Sequence, residues 1–146
     1  MTVWQRGALV VHIWGTTASM QWRVARTPLP LLVHRLEVRG ESSKGWLSAA
    51  GGLGPVRLGR AIDRWGRFGP WQPRCIVKAL VLHTLLCEQG VAACVVVGLP
   101  SKARDHRAHA WVECKGADVG PPPGRMGHAE LARYGEVGHK ATVGGD

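Results

Sequence analysis

The chain has 146 residues, 45% of them hydrophobic, and 19 Lys and Arg against 10 Asp and Glu give a formal net charge of +9. That length fits one domain, and such a domain buries roughly 70% of its unfolded surface, so a substantial core is expected. No run reaches the ~18 apolar residues a membrane span needs, and neither zinc-finger spacing nor an RNA-binding aromatic signature accompanies the positive charge, which argues against nucleic acid.

The charge is uneven. Residues 1–60 hold eight basic residues against two acids, a net +6, and the other 86 residues carry only +3. Residues 1–57 read as a basic N-terminal region without a clear period, suited to solvated surface, an anionic membrane or an acidic protein partner. Within it, "GALVVHIW" (7–14) follows Arg6 like a short signal core. His12 interrupts that run and the cleavage site is poor, so a cytoplasmic location is expected. "LPLLVHRLEVRG" (29–40) suits a strand or a short helix, and Pro28 and Pro30 stop anything long from crossing them. "AAGGLGPVRLG" (49–59) reads as a glycine-rich connector, and neither it nor "GESSKG" (40–45) fits a phosphate loop. A helix follows in "LGRAIDRWGRF" (58–68), with Leu58, Ile62 and Trp65 on one side and arginines elsewhere.

The pattern then sharpens. From Cys75 to Gln89 the chain is apolar nearly all round, with Gly90 where a C-terminal cap belongs, which predicts a central buried helix. "VAACVVVGL" (91–99) predicts a buried strand, 100–107 a polar loop, "AHAWVEC" (108–114) a second strand, Lys115-Gly116 a tight turn and "ADVG" (117–120) a returning strand. "PPPG" stops regular structure, and "HAELARY" (128–134) predicts a short helix. The expected fold class is α+β, a helix layer on an antiparallel β-meander, with a domain over 58–146.

Cys75 falls in the first turn of the central helix. Unsatisfied N–H groups and the helix dipole favour a thiolate there, and Arg74 adds positive charge. His109 opens a strand two elements later, and an imidazole suits the base a thiol nucleophile needs. Cys87, Cys94 and Cys114 read as core, and the four cysteines show no CxxC pair or disulfide-scaffold spacing, in keeping with a reducing compartment. His106 and His109 make an HxxH, but residues three apart on a strand face opposite ways, so no metal is expected. Trp111 shares the His109 face.

In order and local sequence, "PWQPRCIVKALVLHTLLCEQGVAACVVVGL" (70–99) and "AHAWVECKG" (108–116) resemble the transglutaminase-like peptidases that include the lasso-peptide B proteins. The likeness covers residues 70–120. It implies a papain-like cysteine peptidase fold, with Cys75 as nucleophile, His109 as general base and no cofactor. Gln72, beside the Cys75 backbone N–H, is a candidate oxyanion donor. The resemblance further implies cleavage of a precursor peptide between leader and core. Some relatives carry a leader-binding domain, whose pattern is not found in 1–60, so a separate leader-recognition protein is expected as partner. An ATP-dependent lasso cyclase would follow in the pathway. An acyl transferase on the same fold and a non-catalytic binding module are the alternatives.

The third member of such a site is an acid about twelve residues after the histidine, and that position here is Pro121. Asp118 is the nearby candidate. A two-residue turn at 115–116 pairs 113 with 118 and 109 with 122. Asp118 then stands four residues from His109 along the strand, roughly 13 Å at about 3.3 Å per residue. Either a Cys–His dyad operates, its ring oriented by a backbone carbonyl, or a bulge draws Asp118 in.

Overall fold

The computed structural model describes residues 2–42, 52–68, 72–102 and 107–135. Among these, the elements are helices α1 (Val3–Val24), α2 (Leu29–Ser42), α3 (Pro55–Phe68) and α4 (Cys75–Glu88), then strands β1 (Cys94–Pro100), β2 (His109–Cys114), β3 (Ala117–Gly120) and β4 (His128–Tyr134). The strands form one antiparallel sheet in the order β3-β2-β1-β4.

The basic N-terminal region is helical. Thr2 caps α1: its hydroxyl accepts from the Gln5 N–H while the Gln5 side chain accepts from the Thr2 N–H, a reciprocal box. Leu9, Ile13, Thr17 and Met20 form the buried stripe of α1. Leu32, Val33 and Leu36 do the same for α2, whose Pro30 sits harmlessly in the first turn. These side chains enter the same hydrophobic cluster as Leu80, Leu85 and Val112. The division expected at residue 57 therefore does not coincide with an edge of the core.

Two further expectations are corrected. Residues 55–59 are not connector but the first turns of α3, with Pro55 at the first helical position, where its missing N–H costs nothing. Residues 128–134 are not a helix but strand β4, paired with β1 from Val95↔Tyr134 to Pro100↔His128 across a bulge at Val97/Gly98. The reason is tertiary. The β1 edge away from β2 is an unsatisfied ladder, and seven residues flanked by glycines hold too little helix of their own to resist pairing.

Helix α4 is the centre of the molecule. Leu80, Val81, Leu82, Leu85 and Leu86 are all fully buried, with α1, α2 and α3 on one side and the sheet on the other. Two glycines set how closely α3 approaches its neighbours. A Cβ on Gly59 would lie 2.4 Å from the Val119 carbonyl oxygen of β3, and one on Gly66 would press on Pro73 and Lys78 at the start of α4. Lys78 also bonds Asp63 at 2.8 Å, pinning α3 to the first turn of α4.

The sheet alternates as its pleat requires. Ala110, Val112 and Cys114 face the helices, whereas Trp111 packs with Cys94 and Val96 on the far face. Because β3 and β4 lie at opposite edges, the 121–127 connection must return across the sheet, and its Gly124 sits on the Trp111 and His109 rings, where a Cβ would come within 2.4 and 2.5 Å of ring atoms. Under the same Trp111 ring, Gly98 of β1 leaves room that a Cβ would close to 2.8 Å. A buried carboxylate ties the far face together. Glu113 is 4% exposed and accepts from Trp111 Nε1 at 3.1 Å and from Arg133 of β4 at 2.9 Å.

Candidate active site

Cys75 is the first residue of α4, preceded by Arg74, whose side chain does not cap the helix. The N–H groups of the first turn are thus left for something else. One of them, the Ile76 N–H, bonds the Cys75 sulfur, which is set at an open edge of β2. Pairing of β3 to β2 runs Cys114↔Ala117 and Glu113↔Asp118, as the turn at 115–116 predicts, with Lys115 and Gly116 both at positive φ (49° and 76°). A bulge then slips the register to Val112↔Gly120 and the ladder stops. The expected pairs 110–121 and 109–122 do not form. The backbone of 108–110 on that side has no strand partner among the described residues, and the thiol fills the gap. Cys75 Sγ lies 3.8 Å from the Ala108 carbonyl oxygen, and the Ala110 N–H also bonds it.

His109 reaches the same sulfur. Their hydrogen bond is the largest cause holding the Cys75 thiol below its ordinary pKa; burial opposes it, and the N–H groups of Ala110 and Ile76 assist. The same bond raises the His109 pKa most, again against burial, with the Pro122 carbonyl and the Asp118 charge adding to the rise. Opposite shifts on two bonded groups favour the thiolate–imidazolium pair. His109 Nε2 lies 3.0 Å from the Pro122 carbonyl oxygen. A carbonyl can only accept, so Nε2 carries a proton, and Nδ1 is the nitrogen left to face the thiol.

Asp118 does not hydrogen-bond the His109 ring. Its Oδ1 accepts from Gly120 N at 2.9 Å, and its Oδ2 from Gly124 N at 2.7 Å and Arg125 N at 2.8 Å. The carboxylate gathers the loop that carries Pro122. The ring is held by a backbone carbonyl, and that carbonyl's loop is held by the acid.

Gln72 is exposed three residues before Cys75. Trp111 stacks beside His109 at 6.0 Å between centroids. His128, which the sequence placed on a helix, stands instead 5.0 Å from the His109 ring and bonds the Gly124 carbonyl through Nδ1 at 2.8 Å. No pattern in the sequence pointed to it, because only the β1–β4 pairing brings it there. His106 lies outside the described residues. Among the described residues no group of three or more His, Cys, Asp or Glu side chains is arranged to hold a metal ion, and no helix is long and apolar enough to cross a membrane.

A thiol at the start of a central helix, facing a histidine on an antiparallel sheet, defines an α+β domain of the papain-like type. The family model described as the transglutaminase-like superfamily matches residues 16–133, and the chain belongs to that superfamily. It is thus a domain of the cysteine peptidase and acyltransferase kind. No curated protein and no solved structure matches the chain.

Proposed function

We propose that this protein is a cysteine peptidase of ribosomal-peptide maturation, acting in the cytoplasm to remove the leader from a lasso-peptide precursor. The observation that carries the reading is the Cys75–His109 contact at the start of α4, with both pKa shifts favouring the ion pair. The Cys75 thiolate attacks the carbonyl at the leader–core junction, and its sulfur–carbon bond forms as the carbonyl becomes an oxyanion. The Cys75 N–H and Gln72 are the donors proposed for that oxygen. The imidazolium gives its proton to the departing core amine, leaving a leader thioester. Water, deprotonated by His109, then releases the leader acid and regenerates the thiol. A separate leader-recognition protein delivers the precursor, and an ATP-dependent cyclase takes the freed core.

The test uses purified chain, precursor and leader-recognition partner. Cys75→Ala and His109→Ala are each expected to abolish leader removal with unchanged circular dichroism. Retained cleavage in either variant defeats the assignment. Adding a small primary amine separates the acyltransferase alternative: amide product in place of leader acid would mean that the thioester is passed to nitrogen instead of water.

A further inference from the structure

Beside the Cys75–His109 pair, α3 and the loop after β3 enclose a groove of about 670 Å³. Its apolar walls include Val56, Phe68, Pro121 and Pro122, and its cationic side is Arg60, Arg64 and Arg67, spaced on one face of α3. The two carboxylates that line it are already engaged. Asp63 binds Lys78 at 2.8 Å and Arg67 at 2.9 Å, and Asp118 takes three backbone N–H groups. Arg60 and Arg64 are exposed and have no carboxylate partner among the described residues. The groove thus presents two guanidinium groups that no carboxylate among the described residues neutralises, Arg64 resting 6.0 Å from the Trp65 ring centroid, over an apolar floor.

Its position matters as much as its charge. One wall is Pro122, whose carbonyl oxygen takes His109 Nε2, and the other side reaches through Asp63 and Lys78 to the first turn of α4, one turn from Cys75. The groove's lining is thus one contact away from His109, through Pro122, and one contact away from the first turn of α4, through Asp63 and Lys78.

We propose that this groove binds an acidic segment of the peptide chain processed at Cys75, which rests on the peptidase reading above. Arg60 and Arg64 stand roughly 6 Å apart along the helix axis, at about 1.5 Å per residue. Alternate side chains of an extended peptide stand roughly 7 Å apart, so two acids separated by one residue meet the two guanidiniums while the intervening residue faces the prolines. Arginine suits this role because its planar fork binds a carboxylate through two N–H groups.

The test measures binding rather than cleavage, so that it stands apart from the peptidase reading. Full-length Cys75→Ala protein is titrated against a fluorescein-labelled Glu-Ala repeat peptide, with a Lys-Ala repeat of equal length as control, by fluorescence anisotropy. The Glu-Ala peptide is expected to bind and the Lys-Ala peptide not. Arg60→Glu with Arg64→Glu should weaken binding about tenfold or more, since each exposed charge pair is worth up to roughly a fewfold and reversal adds repulsion. Arg60→Lys with Arg64→Lys keeps the charge and should retain most of the affinity. Salt should weaken binding, given a Debye length of about 10 Å at 0.1 M. Equal binding of the two peptides, unchanged affinity in the Glu variant, or displacement of the peptide by a single-stranded oligonucleotide at lower concentration overturns the proposal. Glu-Ala binding by wild-type protein that leaves the precursor uncut counts against the peptidase reading, whereas precursor cleavage by wild-type protein that does not bind the Glu-Ala peptide overturns the groove alone.

Discussion

At the scale of single residues, the arrangement around His109 separates two jobs that one acid usually performs. Asp118 spends both carboxylate oxygens on three backbone N–H groups, and the ring proton goes to Pro122. Asp118→Ala is therefore expected to lower turnover only about tenfold, ~1.4 kcal/mol of transition-state stabilisation, far short of the loss in His109→Ala. Asp118→Asn should be as harmful as Asp118→Ala, because its amide nitrogen would confront a backbone N–H. An acid bonded directly to the ring would tolerate asparagine better. Steady-state kcat/KM of the three variants decides. The thiol offers a second measurement. Its pKa is lowered chiefly by His109, so iodoacetamide should label wild-type Cys75 at lower pH than a free thiol, and His109→Ala should move that profile upward. Identical profiles would refute the pairing. Cys75 and His109 were legible because a thiol after "PWQPR" and a histidine in "AHAW" each sit at the start of a strongly patterned element. The Pro122 carbonyl was foreseen only in kind, as some backbone oxygen. Its identity depends on a bulge at Val112/Glu113 that no local pattern announces.

Among the elements, legibility followed how much a segment depends on others. Helix α4 and strands β1 to β3 carry their own signals, and the structure keeps them within a few residues. Helix α1 was obscured by its surface. Its buried stripe is regular, but Trp4 is 89% exposed, Val11 70% and Trp22 60%, and these outward apolar residues erase the period. The Thr2–Gln5 capping pair marks its start in the structure. Strand β4 had no internal signal at all, since it exists by pairing with β1 and by the reach of Arg133 across that strand to Glu113. That reach gives an element-level prediction. Arg133→Ala strands a carboxylate that is 4% exposed, at a cost of about 3 kcal/mol. Arg133→Ala combined with Glu113→Gln should recover part of that loss, because the charge is gone. Urea denaturation of the two variants tests this, and an additive double variant would mean that the two groups are not coupled.

For the whole molecule, stability should fall on mild acidification. His83 is fully buried in α4, and burial, its main influence, pushes its pKa down from 6.5 to about 4, against the Ala93 backbone. Above pH 6.5 it is neutral in both states. As pH drops from there toward about 4 only the unfolded chain takes up the proton, so the fold loses up to about 3 kcal/mol. His12 opposes this: raised mainly by its Glu88 bond, it helps below its unfolded value and the help is lost as pH rises through its folded value. That pair is partly exposed, which discounts it. Melting temperature should thus decline between pH 7 and pH 5, and His83→Gln should flatten the decline; an unchanged slope would remove His83 from the account. The enclosure of α4 has another consequence, in time. A helix covered on every side exchanges its amide protons only when the whole fold opens, over minutes to hours. The 121–127 connection lies outside that core, held by Asp118 through Gly124 and Arg125, and its remaining amides are expected to exchange sooner. We therefore expect the Pro122 contact with His109 to loosen before the centre of α4 opens, separating His109 from Cys75 reversibly while the protein is still folded; deuterium uptake at 121–127 no faster than at 79–86 would refute this.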